Sequence, residues 1–155
     1  MIEAMTDWAS RVEFMTNVPL FSHVGRRDLE RLAAIATERT FKGGEEIVTQ
    51  GELGDSMFII TSGEAEVVDG GTHLADLGVG DFLGEMALFR QTPRSATVRA
   101  KSEVSALHIT QWDLDAELRG TPSIAVQMLG ILCERLHAAN QELARATGTP
   151  STVVD

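Results

Sequence analysis

The chain has 155 residues, 43% of them hydrophobic, which is enough for one domain with a substantial core. Its 23 acidic residues outnumber 13 lysines and arginines, and the formal net charge of −10 argues against a nucleic-acid partner. The single cysteine excludes a disulfide framework and a thiolate metal cluster. With neither a membrane-spanning apolar run nor a signal-peptide pattern, we expect a cytoplasmic chain that does not contact a membrane.

Apolar residues at three- and four-residue spacing predict helices in residues 1–40. One predicted helix runs from Glu3 to Asn17 and another from Asp28 to Ala36, with Pro19 between them. The sequence pattern changes at Phe41, so we predict that a helical segment ends there.

Residues 41–110 have the pattern of an antiparallel sandwich or barrel. Ten of the 14 glycines lie between Gly43 and Gly84, and short apolar runs alternate with glycine or aspartate turns. The sequence Asp69-Gly70-Gly71 is typical of a hairpin turn. The runs that we predict as strands are Ile47-Val48, Met57-Ile60, Ala65-Val68, His73-Leu77, Ala96-Val98 and Val104-Ile109.

Helical periodicity returns at residue 111. A short helix is predicted from Gln111 to Leu118, and a longer one starts after Thr121 as N-cap with Pro122 at its first position. The apolar side of the longer helix carries Ile124, Met128, Ile131, Leu132, Leu136, Ala139 and Leu143. We predict helices over 111–147 and a flexible tail over 148–155, all within one domain.

The stretch from Phe82 to Val98 carries the strongest chemical signal. Gly84 has no Cβ, so backbone N–H groups can approach a phosphate closely. The N–H groups of Glu85, Met86 and Ala87 would open a helical turn, whose unpaired donors and dipole favour an anion. The pattern predicts an anion site at this turn.

Two charged residues of this stretch indicate what else the ligand carries. Arg94 offers a charged fork to phosphate oxygens, and Ser95 adds a small donor beside it. Glu85 accepts hydrogen bonds and repels a phosphate, so it suits a neighbouring pair of hydroxyls such as those of a ribose. We therefore predict a small anionic ligand that bears hydroxyls. The alternative is that Glu85 and Arg94 form a surface salt bridge.

These motifs resemble the cyclic nucleotide-binding domain family over nearly the whole chain. The phosphate-binding cassette of that family is matched by Gly84-Glu85-Met86-Ala87-Leu88 and by Pro93-Arg94-Ser95-Ala96. An upstream glycine pattern also fits, from Lys42-Gly43-Gly44 through Gln50-Gly51-Glu52 to Gly63. The resemblance is to the type found in catabolite activators and in protein kinase A regulatory subunits. It implies an α+β, mainly β fold: an eight-stranded antiparallel β-roll, jelly-roll-like, flanked by N-terminal helices and by a long C-terminal lid helix.

The resemblance implies roles for the cassette residues. Glu85 would bind the ribose 2′-hydroxyl, and Arg94 would pair with the cyclic phosphate. The other implied ligand contacts in this stretch are Leu83, Gly84, Met86, Ala87, Ser95 and Ala96.

Two lid residues are implicated by alignment with the catabolite activators. Asn140 falls where the base is contacted, and its amide suits the adenine edge. Arg135 lies about one turn earlier and would reach Glu85 or the phosphate. The alternatives are that Asn140 is a solvated helix residue, that Arg135 is a surface charge, and that Leu132 and Leu136 cap the base instead.

The predicted ligand is cyclic AMP, on likeness to the bacterial members. Cyclic GMP is the alternative, because a hydroxyl such as that of Ser95 can bond the guanine amino group. No metal is expected, and no enzymatic site is evident. The catabolite activators continue into a helix-turn-helix domain, whereas no second helical pair follows here, so a DNA-binding function does not carry over.

The function predicted is a stand-alone cyclic nucleotide sensor whose C-terminal helix moves on binding and acts on an effector protein that the sequence does not identify. The apolar side of that helix also suits a homodimer. Two other functions remain open: a dimerisation or interaction module without a ligand, and a regulatory piece of a larger channel, transporter or kinase.

Overall fold

The computed structural model describes residues 7–84 and 90–148, in which helices precede and follow eight strands. The helices are α1 (Trp8–Thr16), α2 (Arg26–Ile35), α3 (Gln111–Gly120) and α4 (Pro122–Thr147), with a short 3-10 helix at Pro19–Phe21. The strands are β1 (Thr37–Phe41), β2 (Glu46–Val48), β3 (Ser56–Ser62), β4 (Ala65–Asp69), β5 (Thr72–Leu77), β6 (Phe82–Leu83), β7 (Thr97–Ala100) and β8 (Val104–Thr110). The part of the predicted N-terminal helix before residue 7 lies outside the described residues.

The strands form two antiparallel four-stranded sheets. Their orders are β1-β8-β3-β6 in the first sheet and β2-β7-β4-β5 in the second. This confirms the predicted eight-stranded, mainly β fold with flanking helices. Two strands were missed: β1 has one buried residue, Phe41, and therefore lacks apolar alternation, and β6 is only two residues long.

The two faces of the first sheet pack into two separate cores, as the alternation of β3 illustrates. Met57 and Ile59 point into a core shared with α1, α2, α3 and α4. Phe58 and Ile60 point the other way, into the interior between the two sheets. The first sheet is therefore covered on both faces.

The turn between β4 and β5 is the predicted hairpin. Asp69 pairs with Thr72, and the two residues between them, Gly70 and Gly71, have φ of 56° and 86°. Positive φ at both central positions defines the type I′ turn that favours glycine.

The long helix α4 starts with Pro122 at its first turn, as predicted, although the Thr121 side chain makes no capping bond. It ends before Gly148, whose φ of 68° is the left-handed conformation that terminates many helices. Its apolar residues divide between two faces: Ile124, Met128 and Ile131 are buried, whereas Leu136 and Leu143 are exposed. Of the helices described, none combines the length and apolar character needed to cross a membrane.

Candidate ligand-binding site

A cavity of about 300 Å³ opens between the second sheet and the segment that precedes β7. This volume lies at the lower end of the range for small-molecule sites. Five of the predicted site residues line it: Leu83, Gly84, Arg94, Ser95 and Ala96. The other described residues around it are mostly apolar: Val48, Val67, Leu77, Phe82, Thr92, Pro93 and Val98. Arg94 is the one charged side chain among the described lining residues, so the cavity combines an apolar wall with a single cation.

The Arg94 guanidinium lies against bare backbone. Its Nη2 donates to the carbonyl oxygen of Ser56 at 2.8 Å. A Cβ at Gly54 would lie 2.6 Å from Arg94 Cζ. A Cβ at Gly84 would lie 2.8 Å from the same Ser56 oxygen and would also collide with the guanidinium. Both glycines are therefore required for this side-chain position, and Gly84 additionally has a φ of 81°, which disfavours any other residue.

The backbone of Arg94 is held by the segment that connects β2 to β3. Its N–H donates to the carbonyl of Glu52 at 2.8 Å, and its own carbonyl accepts from Gly51 at 2.9 Å. One step further, Gly54 N–H donates to the Thr92 carbonyl at 3.1 Å. These bonds give the Gln50-Gly51-Glu52 motif a physical role, since they fix the chain that carries the arginine.

Burial and a nearby charge shift the pKa of Arg94 in opposite directions. Partial burial lowers the pKa of the guanidinium, and the nearby carboxylate of Asp55 raises it. Arginine nevertheless remains charged at neutral pH. Within residues 7–84 and 90–148 no carboxylate forms an ion pair with Arg94. The site therefore presents a half-buried cation to the cavity, which an anionic ligand would neutralise.

The remaining predicted site residues lie in three different situations. Glu85, Met86 and Ala87 are outside the described residues. Arg135 lies beside the cavity without lining it, with its guanidinium carbon 5.1 Å from the ring centroid of Phe82. Asn140 does not line the cavity, and its buried Nδ2 has no hydrogen-bond partner among residues 7–84 and 90–148. The structure thus brings Leu83, Gly84 and residues 94–96 of the cassette together, and it leaves the base contact from α4 as a prediction.

Sequence reasoning did not assign the apolar wall or the backbone that supports Arg94. Val67 and Val98 were predicted as strand residues, and nothing in an alternating strand marks which inward-facing residues border a cavity. Gly54 belongs to the upstream glycine pattern, which did not identify the guanidinium beside it, and Ser56 was not singled out.

The described part of the chain contains no group of three histidine, cysteine, aspartate or glutamate residues that could hold a metal ion.

The profile of the family described as "Cyclic nucleotide-binding domain" matches residues 38–120. This match covers more than half of the chain, from β1 to the end of α3, and includes the cavity and both segments that support Arg94. The chain belongs to the cyclic nucleotide-binding domain family.

Curated relatives include both ion channels and kinases. A cyclic nucleotide-gated potassium channel of Rhizobium etli is 36% identical over 83% of this chain and 36% of its own length. A cAMP-dependent protein kinase regulatory subunit of Yarrowia lipolytica is 39% identical over 59% of this chain and 25% of its own length. A cGMP-dependent protein kinase of Toxoplasma gondii is 32% identical over 72% of this chain and 11% of its own length. The chain therefore spans about a third or less of each of these proteins.

Among solved structures, the N-terminal domain of a transcriptional regulator from Streptomyces coelicolor is similar, with a TM-score of 0.74 and 29% identity. The similarity covers 79% of this chain and 91% of that one. The catabolite activator protein of Thermus thermophilus is similar with a TM-score of 0.71 and 29% identity, over 83% of this chain and 63% of that one.

Proposed function

We propose that this chain is a regulatory domain, not an enzyme, that binds a cyclic nucleotide in the cavity around Arg94 and prefers cyclic AMP to cyclic GMP. The observation that carries the proposal is the half-buried Arg94 guanidinium, which is the one cation among the described residues of a mostly apolar cavity wall. A cyclic phosphate would neutralise this charge, and the apolar wall would accept the rest of the nucleotide.

The proposed contacts extend from Arg94 to the other cassette residues that the likeness to the family implies. Arg94 and Ser95 hold the cyclic phosphate together with the N–H groups of Met86 and Ala87, while Glu85 accepts hydrogen bonds from the ribose hydroxyl. A ligand efficiency of about 0.3 kcal/mol per heavy atom over roughly 22 atoms gives about −7 kcal/mol, which corresponds to micromolar affinity.

The lid is proposed to be α4. Asn140 would contact the base, since its buried Nδ2 lacks a partner in the described part of the chain and a buried donor without a hydrogen bond is costly. Arg135 is already held over Phe82 at the edge of the cavity, so a small movement of α4 would bring it to the ligand. Residues 111–147 would then act as hinge and lid within a single domain. The coupling cannot exceed the difference in ligand affinity between the open and closed states.

A homodimer through α4 is part of the proposal. Leu129, Leu136 and Leu143 recur at seven-residue spacing along α4, and each is more than half exposed. Such a repeat is typical of a helix that pairs with another helix. Light scattering with and without cyclic AMP tests this part, and a monomer in both conditions would refute it.

Arg94→Leu tests the site. Leaving a buried anion without its cationic partner costs about 2–5 kcal/mol, so the affinity for cyclic AMP should fall at least ~30-fold. Titration calorimetry measures the affinity. Arg99→Leu is the matched control, because Arg99 pairs with Glu66 on the outer surface at 3.4 Å and does not line the cavity. Equal affinities in the wild type and the Arg94 variant would reject the site.

The choice of base is tested by thermal shift with cyclic AMP and cyclic GMP in parallel. A nucleotide that binds only the folded state raises the unfolding temperature, and the tighter ligand raises it more at equal concentration. We expect the larger shift with cyclic AMP. A larger shift with cyclic GMP would reverse the assignment.

Two other functions predict different outcomes, one in the thermal-shift assay and the other in a pull-down. A dimerisation or interaction module without a ligand would show no thermal shift with either nucleotide at millimolar concentration. A regulatory part of a larger channel, transporter or kinase would bind nucleotide but would also retain a protein partner in a pull-down whose yield depends on the nucleotide.

A further inference from the structure

The cavity has two walls that come from different parts of the chain. The β4–β5 hairpin supplies Val67 and Leu77, and the segment 92–96 supplies Arg94 and its neighbours. At the turn of the hairpin, the side chain of Gln50 lies between these two walls. Gln50 has no role in the proposed contacts with the ligand.

The Gln50 amide makes hydrogen bonds to both walls. Its Nε2 donates to Asp69 Oδ1 at 2.8 Å and to the carbonyl oxygen of Ser95 at 3.3 Å. Its Oε1 accepts from Gly70 N–H at 3.1 Å. A glutamine amide has two N–H donors and one carbonyl oxygen, so these contacts use both hydrogens and the oxygen. A glutamate could not donate, and a methionine of similar length could not donate and would accept only weakly.

The backbone of Gln50 is fixed at the point from which this side chain extends. Its N–H donates to the Thr97 hydroxyl at 3.0 Å, and Thr97 is 8% exposed. The next residue, Gly51, donates to the carbonyl of Arg94 at 2.9 Å. These backbone bonds therefore fix the base of the Gln50 side chain relative to the segment that carries Arg94.

We infer that Gln50 is a positioning residue that ties the hairpin turn at Asp69 and Gly70 to the segment carrying Arg94 and Ser95. The tie keeps the two cavity walls at the separation that the nucleotide requires. This inference rests on the proposed function, because it assigns Gln50 a part in the affinity of that same site. Since the Gln50 side chain is exposed to solvent, its loss should weaken cyclic AMP binding about three- to tenfold rather than abolish it.

The first experiment compares Gln50→Met with the wild type by calorimetry with cyclic AMP and by hydrogen exchange of the Gly70 amide. The substituted side chain keeps the length and loses all three side-chain bonds, so both the affinity and the protection of the Gly70 amide should fall. Asp76→Ala is the matched control. Asp76 lies on the same hairpin and pairs with Lys101, which follows β7, at 3.3 Å; no described bond joins it to residues 92–96, so its loss should leave the affinity unchanged. Unchanged affinity in Gln50→Met overturns the inference.

A double substitution distinguishes the Gln50 bonds to the hairpin turn from the bond to the Ser95 carbonyl. In Gln50→Glu combined with Asp69→Asn, the amide and carboxylate are exchanged, so the bonds to residue 69 and to Gly70 can form again. The bond to the Ser95 carbonyl cannot form, because a carboxylate has no hydrogen to donate. We expect Gly70 protection to return while the affinity stays lowered. Full recovery of the affinity would overturn the link to the arginine segment.

Failure of the proposed function would be distinguishable from failure of the tie. If the wild type bound neither nucleotide, the proposed function would fall, and with it the positioning role. The exchange rate of Gly70 without nucleotide would still show whether Gln50 holds the turn. If the wild type bound and Gln50→Met bound equally well, the proposed function would stand and the positioning role alone would be wrong.

Discussion

The two sheets of this protein differ in what covers them. The first sheet packs helices against one face through residues such as Ile59 and Leu107, and packs the second sheet against its other face. Within the described part of the chain, only the inner face of the second sheet is covered. Its outer face carries ion pairs such as Arg99–Glu66 and Lys101–Asp76, whose side chains remain 25–57% exposed.

This difference separates stability from binding. The first sheet belongs to both apolar cores, so it buries the side chains whose loss costs most. The cavity lies at the second sheet, where Val48, Val67 and Leu77 are only half-buried. Space for a ligand is thus found where the packing is incomplete, and substitutions in the two regions should affect different measurements.

The largest effect is expected from Ile59→Ala in the first sheet. Ile59 is fully buried in the core shared with the helices, and such truncations cost about 2–5 kcal/mol of unfolding free energy. Denaturant unfolding measures this loss. At a temperature where the variant is folded, its affinity for cyclic AMP should match that of the wild type. Val67→Ala in the second sheet is the comparison. We expect it to lose less stability than Ile59→Ala and more affinity for cyclic AMP. The opposite ranking would contradict the separation.

Gly54→Ala should have an intermediate effect, on affinity alone. The added Cβ would lie 2.6 Å from Arg94 Cζ, but the guanidinium is the end of a flexible side chain and can move away. We expect about tenfold weaker binding, the lower end of what a hydrogen bond to a charged group contributes, with little change in stability.

The matched control for Gly54 is Gly78→Ala. A Cβ at Gly78 would meet nothing within 4 Å, and neither glycine has a positive φ that alanine would strain. If both alanine variants bound cyclic AMP with wild-type affinity, the close contact between Gly54 and the guanidinium would have no bearing on binding.

The smallest effect concerns the pH dependence set by His108. This half-buried ring stacks on Phe58 at 4.7 Å, and burial together with the positive charges of Arg39 and Arg94 lowers its pKa, against the opposing charges of Asp55 and Asp113. The unfolded chain then binds more protons than the folded one just below the ordinary histidine pKa. Stability is therefore complete above about pH 6.5 and falls as the pH drops toward the lowered pKa.

Unfolding temperatures measured from about pH 7.5 to about pH 5 check this sign. In His108→Gln the decline below about pH 6.5 should be shallower than in the wild type, because the titrating group is gone. The difference should be small, since the ring is partly solvated and solvent screens its charges. A steeper decline in the variant would mean that the folded state favours the protonated ring.

The sequence alone determined most of the strands and helices, because their patterns are local. Six of the eight strands contain runs that alternate or cluster apolar residues between turn residues, and Gly70-Gly71 specified its turn type. Strand β1 could not be found this way, since four of its five residues are not buried and only pairing with β8 makes it a strand. The family was also readable from sequence, because Gly84, Glu85 and Arg94 of the cassette motif occur in one short stretch.

Only the tertiary structure decided which residues share the cavity and which face of α4 is covered. A helical pattern shows that Ile124 and Leu136 lie on the apolar side of α4. It cannot show that the rest of the protein buries Ile124 and leaves Leu136 exposed. Likewise, Gly54 and Gly84 belong to glycine patterns in the sequence, but the patterns do not show that both leave room for the Arg94 guanidinium. That shared role, beside the Ser56 carbonyl, depends on contacts between segments about forty residues apart. Local patterns fix local conformation. Contacts between distant segments depend on how all the elements pack together.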